Sequence, residues 1–480
     1  MSRDKIGIDQ WVEQIEGRIQ RRRGLIGLAE RAQARLPVWG WIVVLVGVAL
    51  TLPLLTSNTF VLRVAGNVAL LGTLALGLNI IVGFTGLLDL GFVAFYGIGA
   101  YTYAYLSSDF TGIHLPTELT LLFSAGIAAL LGLLIGLTSL RLSGDYLAIV
   151  TLGFGLIFVQ LMTSLTRVSL PGIDAPVNLT GGPNGIPRLD PLTLFGFTPR
   201  SVSEHYMLLV IVLGIALLAV YRLHQSRVGR AWTALREDEL AAAAMGMPTR
   251  RLKIEALVTG AAIAGLCGGL FAGWQGSVFP SNFDTALLIN LYAIVVLGGL
   301  GSIPGVLLGA LVIVAVPDIL RDAQLATVLF YAGILALLSA SLKPRWVTPA
   351  LLIALLVFGV VVRAVGLGLA ADAFAPMPAA PSVFANAVRE WLLVPVNATQ
   401  AGNLAFFALV ALVLTVTRLK HKLWRWIALV PTLYLLILVW ETRLSQEPSV
   451  TRLLFVGVLL IALMIYRPNG ILGQRRVEVV

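Results

Sequence analysis

Charge is scarce in this chain. Asp, Glu, Lys and Arg make up 12% of its 480 residues, against about 25% in an average soluble domain, while 58% are hydrophobic. Water is therefore excluded as the main solvent of the fold. Cysteine is almost missing: Cys267 stands alone, so no disulfide within the chain is possible, and beside Gly265, Gly268 and Gly269 it reads as a small packing residue. The histidines His114, His205, His224 and His421 share no metal-ligand spacing, and one cysteine cannot complete a zinc set. No lysine follows a glycine, which removes the phosphate-binding Gly-x-x-x-x-Gly-Lys-Ser/Thr loop. A metalloenzyme, a membrane hydrolase and a P-loop ATPase lose their support, and the chain reads as a non-catalytic protein without a cofactor.

What the chain has instead is apolar length. A membrane helix needs roughly 20 apolar residues, and windows of that order lie near 39–55, 62–83, 86–107, 117–140, 145–166, 206–222, 253–275, 286–301 and 303–319. Further windows follow near 324–342, 347–370, 403–417, 426–440 and 451–466. The expected fold is an all-α, polytopic transmembrane bundle of roughly fourteen segments, with membrane lipid as its surroundings.

The positive charges set an orientation. With the N-terminus inside, Arg21-Arg22-Arg23, Arg222 to Lys253, Lys343 with Arg345, Arg418 to Arg425 and Arg475-Arg476 fall on one side. About 25 of the 34 Lys and Arg then face the cytoplasm, with both termini, as the positive-inside rule requires. The net charge of +10 is thus a topology signal of a multi-pass protein of a bacterial cytoplasmic membrane, and no nucleic-acid partner is expected. Residues 1–38 mix acids and bases, with Ile8, Val12, Ile15 and Ile19 at helical spacing, so they read as a cytoplasmic segment, either disordered or an amphipathic helix on the inner leaflet.

Glycine separates the spans. Asn79 to Tyr101 and Val296 to Ala310 are far richer in glycine than a lipid-facing helix needs, which serves either close packing or a helix that breaks toward a cavity. Interrupted segments in both halves of a transporter point to its substrate path. Two loops face outward in this topology: 167–204, with the turn-forming run Leu179 to Pro187, and 371–400, an Ala- and Pro-rich connector.

One polar break stands out, within a loop over 224–252. Arg236-Glu237-Asp238-Glu239-Leu240, then Ala241 to Ala244, Met245 and Gly246, predicts a short helix, acidic at its start and ended by glycine. Such a helix is what a membrane protein can offer to a soluble partner. The few intramembrane charges form no relay: Asp89 and Asp145 stand where segments begin, as helix caps do, and Glu255 and Arg363 stand where long side chains snorkel. A self-powered secondary carrier or channel would need such a relay, so the energy is expected from outside the chain.

These residues carry a resemblance. Gly86 to Tyr101, Gly144 to Gly155, Thr180 to Ile186, Arg236 to Gly246 and Val296 to Gly305 resemble, in order, the LivM-type permease subunit of bacterial branched-chain amino acid ABC importers. The resemblance implies one membrane half of an importer for branched-chain or related small amino acids. Its partners would be a LivH-like permease subunit, two ABC ATPase subunits, and a periplasmic or lipid-anchored substrate-binding protein. Permeases for urea or short-chain amides are very similar, so the cargo stays open between these classes. Carried onto this sequence, Arg236, Glu237, Asp238, Glu239, Ala241, Ala242 and Gly246 would form the helix that enters the ATPase. Asn79, Gly83, Gly86, Asp89, Gly91, Gly298, Gly299 and Gly301 would shape the translocation path, and Thr180, Gly181, Gly182, Asn184 and Gly185 would face the binding protein. The chain departs from the family after Gly155, where Leu156, Phe158 and Val159 replace charged residues. It departs again in length: residues 39–322 read as the permease core and 323–450 as an additional transmembrane insertion. Residues 451–480 then carry the closing span, Arg467-Pro468-Asn469-Gly470-Ile471, and the tail.

Overall fold

The computed structural model describes residues 38–139, 145–166, 178–194, 196–319, 347–370, 383–418 and 422–446, with isolated positions between 328 and 339 and at 374, 457 and 470–472. The expected N-terminal segment before residue 38 and most of the windows at 324–342 and 451–466 lie outside the described residues. The chain divides into two compact units, one of Met1–Val314 with Arg467–Val480 and one of Ala315–Tyr466.

The first unit is helical. Its first helices are α1 (Val38–Leu50), the single turn α2 (Leu52–Leu55), α3 (Thr59–Leu78), α4 (Phe92–Leu106), α5 (Thr117–Ser139), α6 (Asp145–Ser164) and α7 (Val202–Gln225). They are followed by α8 (Arg227–Glu237), α9 (Glu239–Ala244), α10 (Thr249–Gln275), α11 (Thr285–Gly298) and α12 (Ile303–Ala310). Among the described residues of both units, seven helices are long and apolar enough to cross a membrane, and four shorter apolar helices accompany them. The all-α polytopic bundle is therefore present, while the fourteen windows are not all matched.

Small residues hold the bundle tight. The hydrophobic effect does little between helices in lipid, so packing depends on how closely backbones approach. Helix α10 sits at the centre against α3, α4 and α5. A Cβ at Gly265 would stand 2.4 Å from Ser124 O of α5, and one at Gly268 would stand 2.0 Å from Tyr96 O of α4. Cys267 between them is fully buried, as its expected packing role requires.

The window at 86–107 is only partly helix. After α3 the chain makes a π-helical turn over Asn79–Phe84, then a loop through Gly86, whose φ of 74° lies in the left-handed region, before α4 starts at Phe92. With 15 residues, α4 spans about 22 Å, short of a hydrocarbon core of about 30 Å.

At the far end of α4 the chain forms a small lid. Strands β1 (Ser107–Ser108) and β2 (Ile113–His114) pair antiparallel, and β3 (Ile186–Pro187) pairs with β4 (Ser277–Val278). The loop expected at 167–204 thus contains a short strand and a 3-10 turn, Gly182–Asn184. Its backbone groups find partners outside the loop, with Asp190 N donating to Ser107 O at 2.9 Å and Leu189 N to Gly276 O at 3.1 Å.

The second unit has its own core, including Leu338, Leu351, Leu355, Leu392, Leu433, Tyr434 and Ile437. Its described helices are the short Val316–Ile319 and the longer Val347–Ala370, Val383–Trp391, Ala398–Arg418 and Lys422–Gln446. The stretch expected as a connector at 371–400 contains the helix Val383–Trp391. That helix has a reason to form: Arg389 donates to the fully buried Glu441 at 3.1 Å, and Tyr331 donates to the same carboxylate at 3.2 Å. This buried charge cluster escaped the sequence reading because its members are far apart in the chain.

Candidate functional site

Helices α8 and α9 build a foot beside the bundle. Ser226 caps α8 by accepting from Gly229 N at 3.2 Å, and Trp232, 1% exposed, donates its indole N–H to Leu252 O at 2.9 Å, which fixes α8 against α10. Asp238 caps α9, its Oδ1 accepting from the N–H groups of Leu240 and Ala241, both at 2.9 Å. Glu239 pairs with Lys253, tying the foot to the start of α10. Gly246 ends the segment at φ 80°, a conformation in which a side chain is strained.

Around these anchors α9 is open. Only Ala242 is buried, whereas Glu237, Asp238, Glu239, Ala241 and Gly246 are exposed. Leu240 and Met245 are 83% and 82% exposed, so the apolar side chains at both ends of α9 point away from the bundle.

Arg236 behaves differently from its neighbours. Its guanidinium turns into the bundle and donates through Nη1 to Gly83 O, in the π-helical turn. Gly301 lies against the same group, since a Cβ there would stand 2.6 Å from Arg236 Nη1, and one at Gly86 would stand 3.2 Å from Arg236 Cγ. The arginine is cradled by glycines of both interrupted segments.

Those segments also bind one another. Asn79 Oδ1 accepts from Gly301 N at 2.9 Å, and Gly83 leaves no room for a Cβ, which would lie 2.6 Å from Gly301 N. A Cβ at Gly298 would stand 2.2 Å from Gly305 O, while Gly299 holds a φ of 112° at the turn between α11 and α12. Asp89 is fully buried in the loop before α4. Its Oδ1 accepts from Gly91 N at 3.0 Å and its carbonyl from Tyr292 at 2.7 Å, so it shapes the turn ahead of α4 and does not cap the helix itself. Gly91 packs on Thr151 of α6, where a Cβ would lie 2.2 Å from the carbonyl oxygen. The glycines therefore close-pack a knot of backbone within this chain.

The closing segment joins the knot, which the sequence alone did not disclose. Ile471 N donates to Leu297 O at 2.8 Å and Leu472 N to Gly298 O at 3.1 Å, and Gly470 lies against Gly299. The chain thus returns, after the whole second unit, to brace the turn at Gly298–Gly301.

At the other end, Thr180 is buried and accepts from Gly182 N at 3.3 Å, while Asn184 is exposed. Gly181, Gly182 and Gly185 all have positive φ. A groove of about 430 Å³ runs along α4, α6 and α11, lined mainly by apolar residues with Gln160, Asp284 and Thr285 as its polar members. Among the described residues no cluster of His, Cys, Asp and Glu could hold a metal ion.

A polytopic bundle with two broken helices knotted together beside an exposed foot has the build of a membrane permease. The chain belongs to the family described as branched-chain amino acid transport system / permease component, whose match covers residues 60–338. It is 39% identical over 289 residues to the high-affinity branched-chain amino acid transport system permease protein LivM of Escherichia coli, covering 55% of this chain and 64% of that protein. It is 34% identical over 128 residues to the LivH permease protein of the same organism, covering 26% of this chain and 41% of the relative. The probable LivM permease of Methanocaldococcus jannaschii is 27% identical over 282 residues, covering 55% of this chain and 74% of that protein. The chain therefore spans somewhat less than two thirds of the Escherichia coli relative. No solved structure matches it.

Proposed function

We propose that this chain is the LivM-like half of an ATP-binding cassette importer that moves branched-chain amino acids inward across the bacterial cytoplasmic membrane. The exposed foot carries the reading. Leu240 and Met245 stand out from a short, firmly capped helix whose charges and alanines give a partner both orientation and close approach. The distribution of positive charges supports a cytoplasmic position for that foot, the side on which ATPase subunits would work. A LivH-like subunit would complete the pore, with the groove along α6 as part of its wall, and a binding protein would dock on the lid formed by β1 to β4. ATP hydrolysis belongs to the partners, since this chain has no phosphate-binding loop.

Purification from native membranes should bring down ATPase, second permease and binding protein together. Replacing both Leu240 and Met245 by aspartate should remove the ATPase subunits while the permease pair persists. Recovery of a lone chain that transports in liposomes on an ion gradient, without ATP, would overturn the reading. The cargo is tested by adding leucine or urea to the assembled complex and measuring which stimulates ATP hydrolysis.

A further inference from the structure

We propose that Arg236 is the positioning residue that hands the motion of the foot to both broken helices, and that it does not contact the ATPase. The inference rests on the importer reading above and assigns within it how force enters the bundle.

Arg236 is the last basic residue of α8, one position from the exposed Glu237, yet its side chain leaves the foot's surface. It ends on Gly83 O, at the carboxyl end of the α3 and π-helical run, where helix carbonyls lose their intrahelical donors. A guanidinium is the fitting donor there, because the carbonyl end of a helix is also its negative end. The same group touches Gly301, whose N–H is held by Asn79 from the first break. One cation therefore bears on two breaks that are 222 residues apart in sequence and joined by one side-chain hydrogen bond.

The glycines make that contact possible. A side chain at Gly301 would collide with the guanidinium, and one at Gly86 would press on its aliphatic stem. The knot is also not fully satisfied in this arrangement: Asn79 Nδ2 and Asp89 Oδ2 are buried and have no close hydrogen-bond partner among the described residues, although Thr151 lies beside the Asp89 carboxylate. A buried polar group left unpaired costs about 1–3 kcal/mol, so any arrangement of the breaks that paired these atoms would be favoured by about that much. Helix breaks with two such arrangements are bistable elements, and a rigid arm fixed to one of them is what coupling requires.

A purely static helix cap would affect stability and nothing else, so the test separates yield from coupling. The assembled importer, with its ATPases and binding protein, is reconstituted in liposomes with native chain, Arg236→Ala, Arg236→Lys and Asn79→Ala. Transported leucine per ATP hydrolysed is measured per assembled complex. We expect the ratio to fall roughly tenfold in Arg236→Ala, the middle of the usual range of coupling energies, with partial rescue in Arg236→Lys. Asn79→Ala, which leaves the foot untouched, should show the same loss. An unchanged ratio in assembled Arg236→Ala or Asn79→Ala complexes, with only yield or melting temperature reduced, overturns the proposal. Loss of ATPase subunits from Arg236→Ala on purification also overturns it, since that would make Arg236 a docking contact. Failure of the native complex to assemble would instead overturn the importer reading.

Discussion

His114 offers the clearest case of a single residue whose charge state matters. Its Nδ1 lies 2.7 Å from Asp190 Oδ2 and its Nε2 lies 3.5 Å from Asp109 Oδ1, so β2 is clasped to the loop beside β3 through an imidazole flanked by carboxylates. The hydrogen bond and charge of Asp190 come first, with Asp109 adding to them, and together they raise the His114 pKa above its ordinary 6.5. A group whose folded pKa is raised contributes stability that is fully present below its unfolded pKa and is lost as pH climbs through the folded value. The clasp should therefore hold fully below pH 6.5 and slacken as pH rises through the raised folded value. Exchange at the Asp190 amide, corrected for its intrinsic rate, should accelerate over that window in the native chain and stay flat in His114→Gln. In Asp190→Asn the imidazole should titrate closer to 6.5; an unmoved titration by NMR would remove the clasp. Gly268 answers to packing instead of charge. Because a Cβ there meets the Tyr96 carbonyl at 2.0 Å, Gly268→Ala should destabilise the bundle by about 1–3 kcal/mol, seen as a lower melting temperature in detergent.

Elements differ in how much of themselves their sequence declares. The foot is written locally: Asp238 ahead of a run of alanines and Gly246 behind it are start and stop signals that act within a few residues, and α9 falls between them. The glycine-rich segments declared that they were unusual but not what they touch. Gly83 meets Arg236 across 153 residues and Asn79 meets Gly301 across 222, separations over which periodicity carries no information. For the same reason Arg236 reads from sequence as one more charge of the foot, while in the fold it faces the other way. Gly470 against Gly299 was legible only as a familiar closing phrase. The cap makes a test at this scale. Asp238→Ala removes the acceptor of two N–H groups and should cost α9 about 0.5–2 kcal/mol. We expect faster amide exchange at Leu240 and Ala241 with α3 to α5 unchanged and, on the proposed importer reading, weaker substrate-stimulated ATP hydrolysis; equal exchange rates in both proteins would show that α9 is held by its neighbours alone.

For the molecule as a whole, the division into two units turns a local charge into a test of domain independence. Glu441 is fully buried and Arg389 is 11% exposed at its side chain, with Tyr331 on the other carboxylate oxygen. A pair like this adds little over a well-packed apolar substitute, but removing one member leaves an uncompensated charge in a low-dielectric interior, at about 3–5 kcal/mol. Glu441→Ala should therefore be severe for the second unit. Glu441→Gln, which keeps the volume and an acceptor for Tyr331 while losing the charge that balances Arg389, should fall between the two. Since the first unit carries its own buried core around α10, the damage should stay where the charge is. Hydrogen exchange read by mass spectrometry should show lost protection in Val383–Trp391 and Lys422–Gln446 of Glu441→Ala, with Thr59–Leu78, Thr117–Ser139 and Thr249–Gln275 as protected as in the native chain. Equal loss across all of these helices would mean that the two units unfold as one, and that residues 315–466 are part of the permease's own stability instead of a separately folded addition.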